Sequence, residues 1–390
     1  MSSFLKKIVE ATRLTGRGHL AEATAAIQRA LHVQRSEPAG SNRPEASAAV
    51  VEADVVLDGL VREVPTAAAV EVPAAPGSEV PVAPSDPPSP GVAEVPGAAE
   101  AAARFVASTF TAAAGTRAFK LFVPPQAAAG GALPLVVMLH GCTQDPDDFA
   151  AGTRMNELAQ AQGFYVLYPA QAPRSNSHKC WNWFVPGDQR RGAGEPALLA
   201  GMTRHVMQTH AIDPDRVYVA GLSAGGAMAA ILAREYADVF AAAGIHSGLP
   251  AGAARDVGSA FSVMKSGAAA APTTSAPVVV FHGDADGTVA PVNGDAVVAS
   301  VLGALPKGER TDGAGFAGGR AFRHTVWRAA GAPADAPSLA EQWRVSGAGH
   351  AWSGGSAAGS YAEPAGPDAS REMLRFFLAH PRTARSGAAE

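Results

Sequence analysis

Residues 216–230 read RVYVAGLSAGGAMAA, which sets Ser223 between Gly221 and Gly225 at the end of an apolar run. A serine hydroxyl becomes a nucleophile only when a base takes its proton and an acid holds that base in the right tautomer. In a chain with 42 glycines, G-x-S-x-G alone is a weak signal, and the flanking elements must decide between a nucleophile and a small residue in a Gly/Ala-rich turn. Here RVYVAG reads as a strand and AGGAMAAILAREY (224–236) as a helix, and the serine falls at their junction. In so sharp a turn, side chains at 221 and 225 would crowd the backbone, while Gly226 lets the helix approach the sheet. Ser223 is therefore the candidate nucleophile.

The base and acid should follow in the order Ser, acid, His, in loops at the C-terminal ends of later strands. After the apolar run PVVVFHG (277–283) comes DADGTVAP, with Asp284 and Asp286; after EQWRVSG (341–347) comes AGHAWSGG, with His350. Asp286 is preferred as the acid, because the chain must run past the strand before its side chain can turn toward His350, and Asp284 reads as a turn stabiliser. The other histidines have plainer readings: His19 and His32 lie near the N-terminus, His205 and His210 in a predicted helix, His324 in an isolated surface-like segment. Acyl transfer also needs N–H donors for an oxyanion. Ala224, next to the nucleophile, supplies one, and Cys142 in LHGCTQ (139–144) is the second candidate; His140 in the same segment reads as shaping the loop.

These loops need a sheet to hold them. Further strand-like runs occur at FKLFVP (119–124), LPLVVMLHG (133–141) and GFYVLYP (163–169), separated by stretches long enough for helices. Buried parallel strands alternating with helices make an α/β sandwich, expected over residues 103–382 with a tail at 383–390. Residues 1–32 place apolar side chains at helical spacing on either side of TGRG, which predicts an amphipathic helix hairpin. With five Lys/Arg against two Glu it could suit docking on a polymer-granule surface. Residues 33–102 change character: positions 33–100 hold eleven prolines, no lysine and eleven acids against three arginines, the composition of a disordered linker.

With 47% hydrophobic and 17% charged residues, the 390-residue chain can bury a large core, and a net charge of −4 gives no footprint for nucleic acid. No apolar run is long enough to span a bilayer. Two cysteines are too few for a zinc cluster or a disulfide scaffold. The chemistry calls for no metal and no cofactor.

Taken together, LHGCTQ, CWNWF (180–184), GLSAGGAM, HGDADGTV and GAGHAWSGG resemble the esterase family of polyhydroxybutyrate depolymerases, of the type 1 catalytic domain that is also similar to feruloyl and acetylxylan esterases. The resemblance covers about residues 115–380. It implies an α/β-hydrolase fold with a mostly parallel sheet flanked by helices, and a triad of Ser223, Asp286 and His350. The implied reaction is hydrolysis of poly(3-hydroxybutyrate), its oligomers or other short-chain hydroxyalkanoate esters. It further implies a Cys142–Cys180 disulfide and a substrate wall offered by Trp181 and Trp183. His246 and Ser247 in GIHSGLP, after another strand, are expected to line the pocket.

The family is extracellular, whereas MSSFLKKIVEATRLTGRG has no apolar core of a secretory signal and reads as cytoplasmic or granule-associated. Three other readings stand beside the depolymerase: a feruloyl or acetylxylan-type carbohydrate esterase, a peptidase using the same triad, and a granule-surface binding protein in which the hydrolase unit is a scaffold.

Overall fold

The computed structural model describes residues 102–268, 273–303, 309–333 and 335–382. The expected hairpin over 1–32, nearly all of the linker over 33–102 and the tail at 383–390 lie outside the described residues.

A ten-stranded sheet organises the rest. Its strands are β1 (Arg104–Ala112), β2 (Gly115–Val123), β3 (Leu133–Leu139), β4 (Tyr165–Pro169), β5 (Ile212–Leu222), β6 (Ala242–His246), β7 (Val278–Gly283), β8 (Glu309–Ala317), β9 (Arg320–Arg328) and β10 (Ala340–Val345), in the order β1-β2-β4-β3-β5-β6-β7-β10-β9-β8. The run from β4 to β10 is parallel, and an antiparallel hairpin closes each end. A short parallel pair, β11 (Trp352–Ser353) and β12 (Ala362–Glu363), stands apart.

Alternation along the central strands explains why they read as unbroken apolar runs. Leu135, Val137 and Leu139 of β3 face one core, with Val217 and Val219 of β5 and Val278 and Val280 of β7. Val136 and Met138, with Tyr218, Ala220, Val279 and Phe281, face the other. Both faces are therefore covered by helices, as parallel sheets require. The first core is closed by α3 (Gly194–Thr209), α4 (Ala224–Glu235), α5 (Val257–Ser266) and α6 (Val292–Leu302). The second is closed by α1 (Pro146–Thr153), α2 (Met155–Gln162) and α7 (Ala369–Leu378). No helix among the described residues is long and apolar enough to cross a membrane.

Three strands differ from the sequence expectation. β1 and β8 are largely solvent-facing and β9 is mostly half-buried, and all three carry too few consecutive apolar residues to stand out. His324, expected on an isolated surface-like segment, is paired within β9, stacked on Trp343 at 4.0 Å, with Nε2 2.9 Å from Glu341 Oε2. His210 caps the end of α3 instead of lying inside it.

Phe377 of α7 is fully buried and stacks on Tyr218 of β5 with centroids 5.0 Å apart. Phe377→Ala should lower stability by about 3–5 kcal/mol, read as a fall in the urea midpoint at unchanged slope; a loss below about 1 kcal/mol would mean that α7 is not anchored through this ring.

Candidate active site

Ser223 joins β5 directly to α4 with φ 57° and ψ −118°, a conformation that L-residues rarely adopt. The turn is possible because of its glycines. A Cβ at Gly221 would collide with the Gly225 carbonyl group, and one at Gly225 with the carbonyl oxygen of Leu139 at the end of β3. Sheet and helix thus meet at backbone contact, and Ser223, only partly exposed, is pushed out at the C-terminal edge of the sheet.

The loop after β3 lies beside it: a Cβ added to Gly141 would stand 3.7 Å from that of Ser223. This loop is braced from within. His140 Nδ1 donates to Gly141 O at 2.7 Å, Gly141 N donates to Gln144 Oε1 at 2.9 Å, and Thr143 N donates to His178 O at 2.6 Å. The Cys142 amide between them is left without a protein acceptor among the described residues.

Asp286 and His350 come from the loops after β7 and β10, neighbours in the sheet. His350 Nδ1 lies 2.7 Å from Asp286 Oδ2, so the N–H donates to the carboxylate and Nε2 is free to take a proton. Asp286 Oδ1 accepts from the amides of Thr288 and Val289, each at 2.9 Å, and His282 Nε2 lies 3.4 Å from Oδ2. Burial alone would push this carboxyl up; the imidazoles of His282 and His350 and the Val289 amide outweigh it and hold the group far below the usual carboxylate range. Asp284 turns away and accepts from Gly347 N at 2.6 Å, bracing the loop that carries His350.

Over Ser223 opens a cavity of about 550 Å³, lined by Trp183, Phe184, Leu249, Phe261, Met264 and Val289 among others, with Asn176, Ser177 and His178 at its polar side. Among the described residues, no carboxylate or guanidinium lines it. A larger groove of about 790 Å³, lined by Arg310, Arg323, Arg344, Asp295 and Asp312 among others, contains none of the residues around Ser223.

Cys142 and Cys180, both on the cavity wall, form a disulfide that ties the loop after β3 to the segment preceding Trp181. That segment is held from below by a group of polar residues that the sequence reading missed. Glu195, buried at the start of α3, accepts from Asn182 N at 2.7 Å and Asn182 Nδ2 at 3.0 Å, pairs with Arg117 at 3.3 Å and accepts from Gln171 Nε2. Its partners are separated by up to 78 residues, which leaves no local signal.

Three expected pocket residues are elsewhere. Trp183 reaches the cavity, but Trp181 is fully buried and donates from Nε1 to His140 O at 3.1 Å. His246 and Ser247 are also buried, with the imidazole between Phe281 and Trp352; the strand ends below the surface there, so their side chains pack inside instead of facing substrate.

Residues 117–318, just over half of the chain, match the family model described as esterase PHB depolymerase. Among curated relatives, poly(3-hydroxyalkanoate) depolymerase C of Paucimonas lemoignei is 37% identical over 233 residues, covering 56% of this chain and 54% of that protein. Feruloyl esterase B of Thermothelomyces thermophilus is 35% identical over 128 residues, covering 33% and 43%. The chain thus spans about half or less of the length of these relatives. Among solved structures, an acetyl xylan esterase from Aspergillus awamori superposes with a TM-score of 0.51 at 20% identity, over 70% of this chain and 99% of that one, a likeness of fold.

The disulfide closes a segment with a sequence separation of 38. Replacing Cys142 and Cys180 together by alanine should lower unfolding free energy by about 3–4 kcal/mol. Urea titration of oxidised wild type beside the double variant checks this; equal midpoints would show that the hydrogen bonds alone hold the two loops.

Proposed function

Because this chain belongs to the esterase PHB depolymerase family, we propose that it is a serine esterase acting through an acyl-enzyme on Ser223, with esters of 3-hydroxyalkanoates as substrates and residues 103–382 as the catalytic unit. The observation that carries this reading is the 2.7 Å pairing of His350 Nδ1 with the buried, ionised Asp286, at the sheet edge where Ser223 is held in its strained turn. In the proposed reaction, His350 Nε2 takes the Ser223 proton as Oγ attacks the ester carbonyl. The negative charge that develops on the carbonyl oxygen is met by the amides of Cys142 and Ala224. The imidazolium then protonates the departing alkoxide, leaving Ser223 acylated. Water, deprotonated by the same imidazole, attacks the acyl-enzyme, and the carboxylic acid leaves as Ser223 regains its proton. Asp286 stays ionised throughout and stabilises the imidazolium.

Substrate class rests on the cavity. Its walls of Trp183, Phe184, Leu249, Phe261 and Met264 suit an uncharged aliphatic ester, and the 37% identity to a poly(3-hydroxyalkanoate) depolymerase points the same way. The likeness to feruloyl esterase B favours a second reading, a carbohydrate-linked esterase, because an apolar aromatic-lined cavity also accepts a phenolic acyl group.

The two are separated by hydrolysis of p-nitrophenyl butyrate, a 3-hydroxybutyrate oligomer, amorphous polymer and methyl ferulate, by wild type and Ser223→Ala. Turnover of the hydroxybutyrate substrates is expected, falling by about four orders of magnitude or more in the variant. Preference for methyl ferulate would move the protein to the second reading. If no ester is turned over in a Ser223-dependent way, the esterase proposal fails.

A further inference from the structure

Two of the loops around Ser223 are fastened to one residue that the proposed chemistry does not use, one through its main chain and the other through its ring. His246 ends β6, which lies between β5 and β7 in the sheet. Its carbonyl oxygen accepts the Ser223 N–H at 2.9 Å, tying the strained turn to β6 through the main chain. Its ring reaches the other way: Nε2 accepts the Ser353 N–H at 3.0 Å, three residues beyond His350. With Nε2 accepting, the ring proton sits on Nδ1, which donates to Ser247 Oγ at 3.2 Å.

The requirements at this place single out an imidazole. The ring is 1% exposed and stacked between Trp352, at 5.0 Å, and Phe281, at 5.8 Å, so both faces must be flat and apolar. One edge must still offer a lone pair to a buried amide, which a phenyl ring cannot do. Burial, with His282 and His350 nearby and Asp286 opposing them, pulls the imidazole down to about 3, so the lone pair persists at neutral and mildly acidic pH.

We propose that His246 is a positioning residue that sets the placement of Ser223 relative to His350, by holding the amide of the first and the backbone just after the second. Its catalytic consequence rests on the esterase reading above; the coupling between the two loops does not.

The substitutions His246→Gln and His246→Asn separate the roles. A glutamine side chain would place an acceptor near the position of Nε2, whereas an asparagine side chain would reach only as far as Nδ1 and leave the Ser353 amide unpaired. In the full chain, hydrogen exchange across residues 347–355 should quicken by about tenfold in His246→Asn and stay near wild type in His246→Gln. His246→Phe, which keeps the stacking, should behave as His246→Asn does and serves if the latter folds poorly. Kinetics on p-nitrophenyl butyrate, normalised by fluorophosphonate titration of the active serine, should show kcat lowered by about 10–100-fold at nearly constant KM in His246→Asn, with most of it restored in His246→Gln. Unchanged exchange in both His246→Asn and His246→Phe overturns the coupling, whatever the activity. Faster exchange at unchanged kcat overturns the positioning role. A wild type without Ser223-dependent turnover sinks the esterase reading, and the exchange result still decides the coupling.

Discussion

Backbone crowding at one turn governs the geometry of the whole edge of the sheet. Ser223 can hold φ 57° and ψ −118° only because β5 and α4 meet with nothing between Gly221 and Gly225, and because the Leu139 carbonyl occupies the space a Cβ at 225 would need. Such a conformation costs about 1–3 kcal/mol and survives when its surroundings over-determine it. Here they do. The apolar core under α4 is closed by Ala227, Met228 and Ile231, the Ser223 amide is held by β6, and the loop after β3 lies against the serine from the third side.

Three buried imidazoles at this edge hold backbone loops. His140 Nε2 accepts from Gln171 N at 3.1 Å, His246 Nε2 accepts from Ser353 N, and His282 Nε2 donates to Val289 O at 2.9 Å. Burial pulls His140 down to about 4 and His246 to about 3, so both stay neutral. A neutral imidazole can accept at one nitrogen and donate at the other, a pairing that neither a carboxylate nor an ammonium offers. His350 differs from them in being partly exposed and in facing Asp286 directly.

Much of this was legible in the chain because the central strands are buried on both faces and therefore spell continuous apolar runs, and because Gly221 and Gly225 mark a turn that no other residue fits. The loops after β7 and β10 could be located by counting from those strands, which led to Asp286 and His350 together. The side from which a loop residue is seen could not be read this way. Trp181 and Trp183 are two positions apart, yet one is sealed under His140 and the other lines the cavity. His246 and Ser247 follow a strand just as Asp286 does, and only the packing of Phe281 and Trp352 shows that they are enclosed. The β8–β9 hairpin was missed although Gly318 and Gly319, both at positive φ between paired Ala317 and Arg320, spell a tight two-residue turn. Its polar flanks hid the signal.

The cavity wall and the first core share their residues. Trp183, Ala224, Leu249, Ala260 and Val289 line the space above Ser223 and also belong to the cluster that packs beneath α3, α4 and α6. A substitution that widens this cavity therefore removes atoms from the packing that supports the sheet, and one that narrows it overfills the same packing. The second core, under α1, α2 and α7, contains none of these residues and is free of that conflict. In this chain, reshaping the cavity is thus tied to stability on one face of the sheet, while the opposite face can be made more stable without touching the cavity wall.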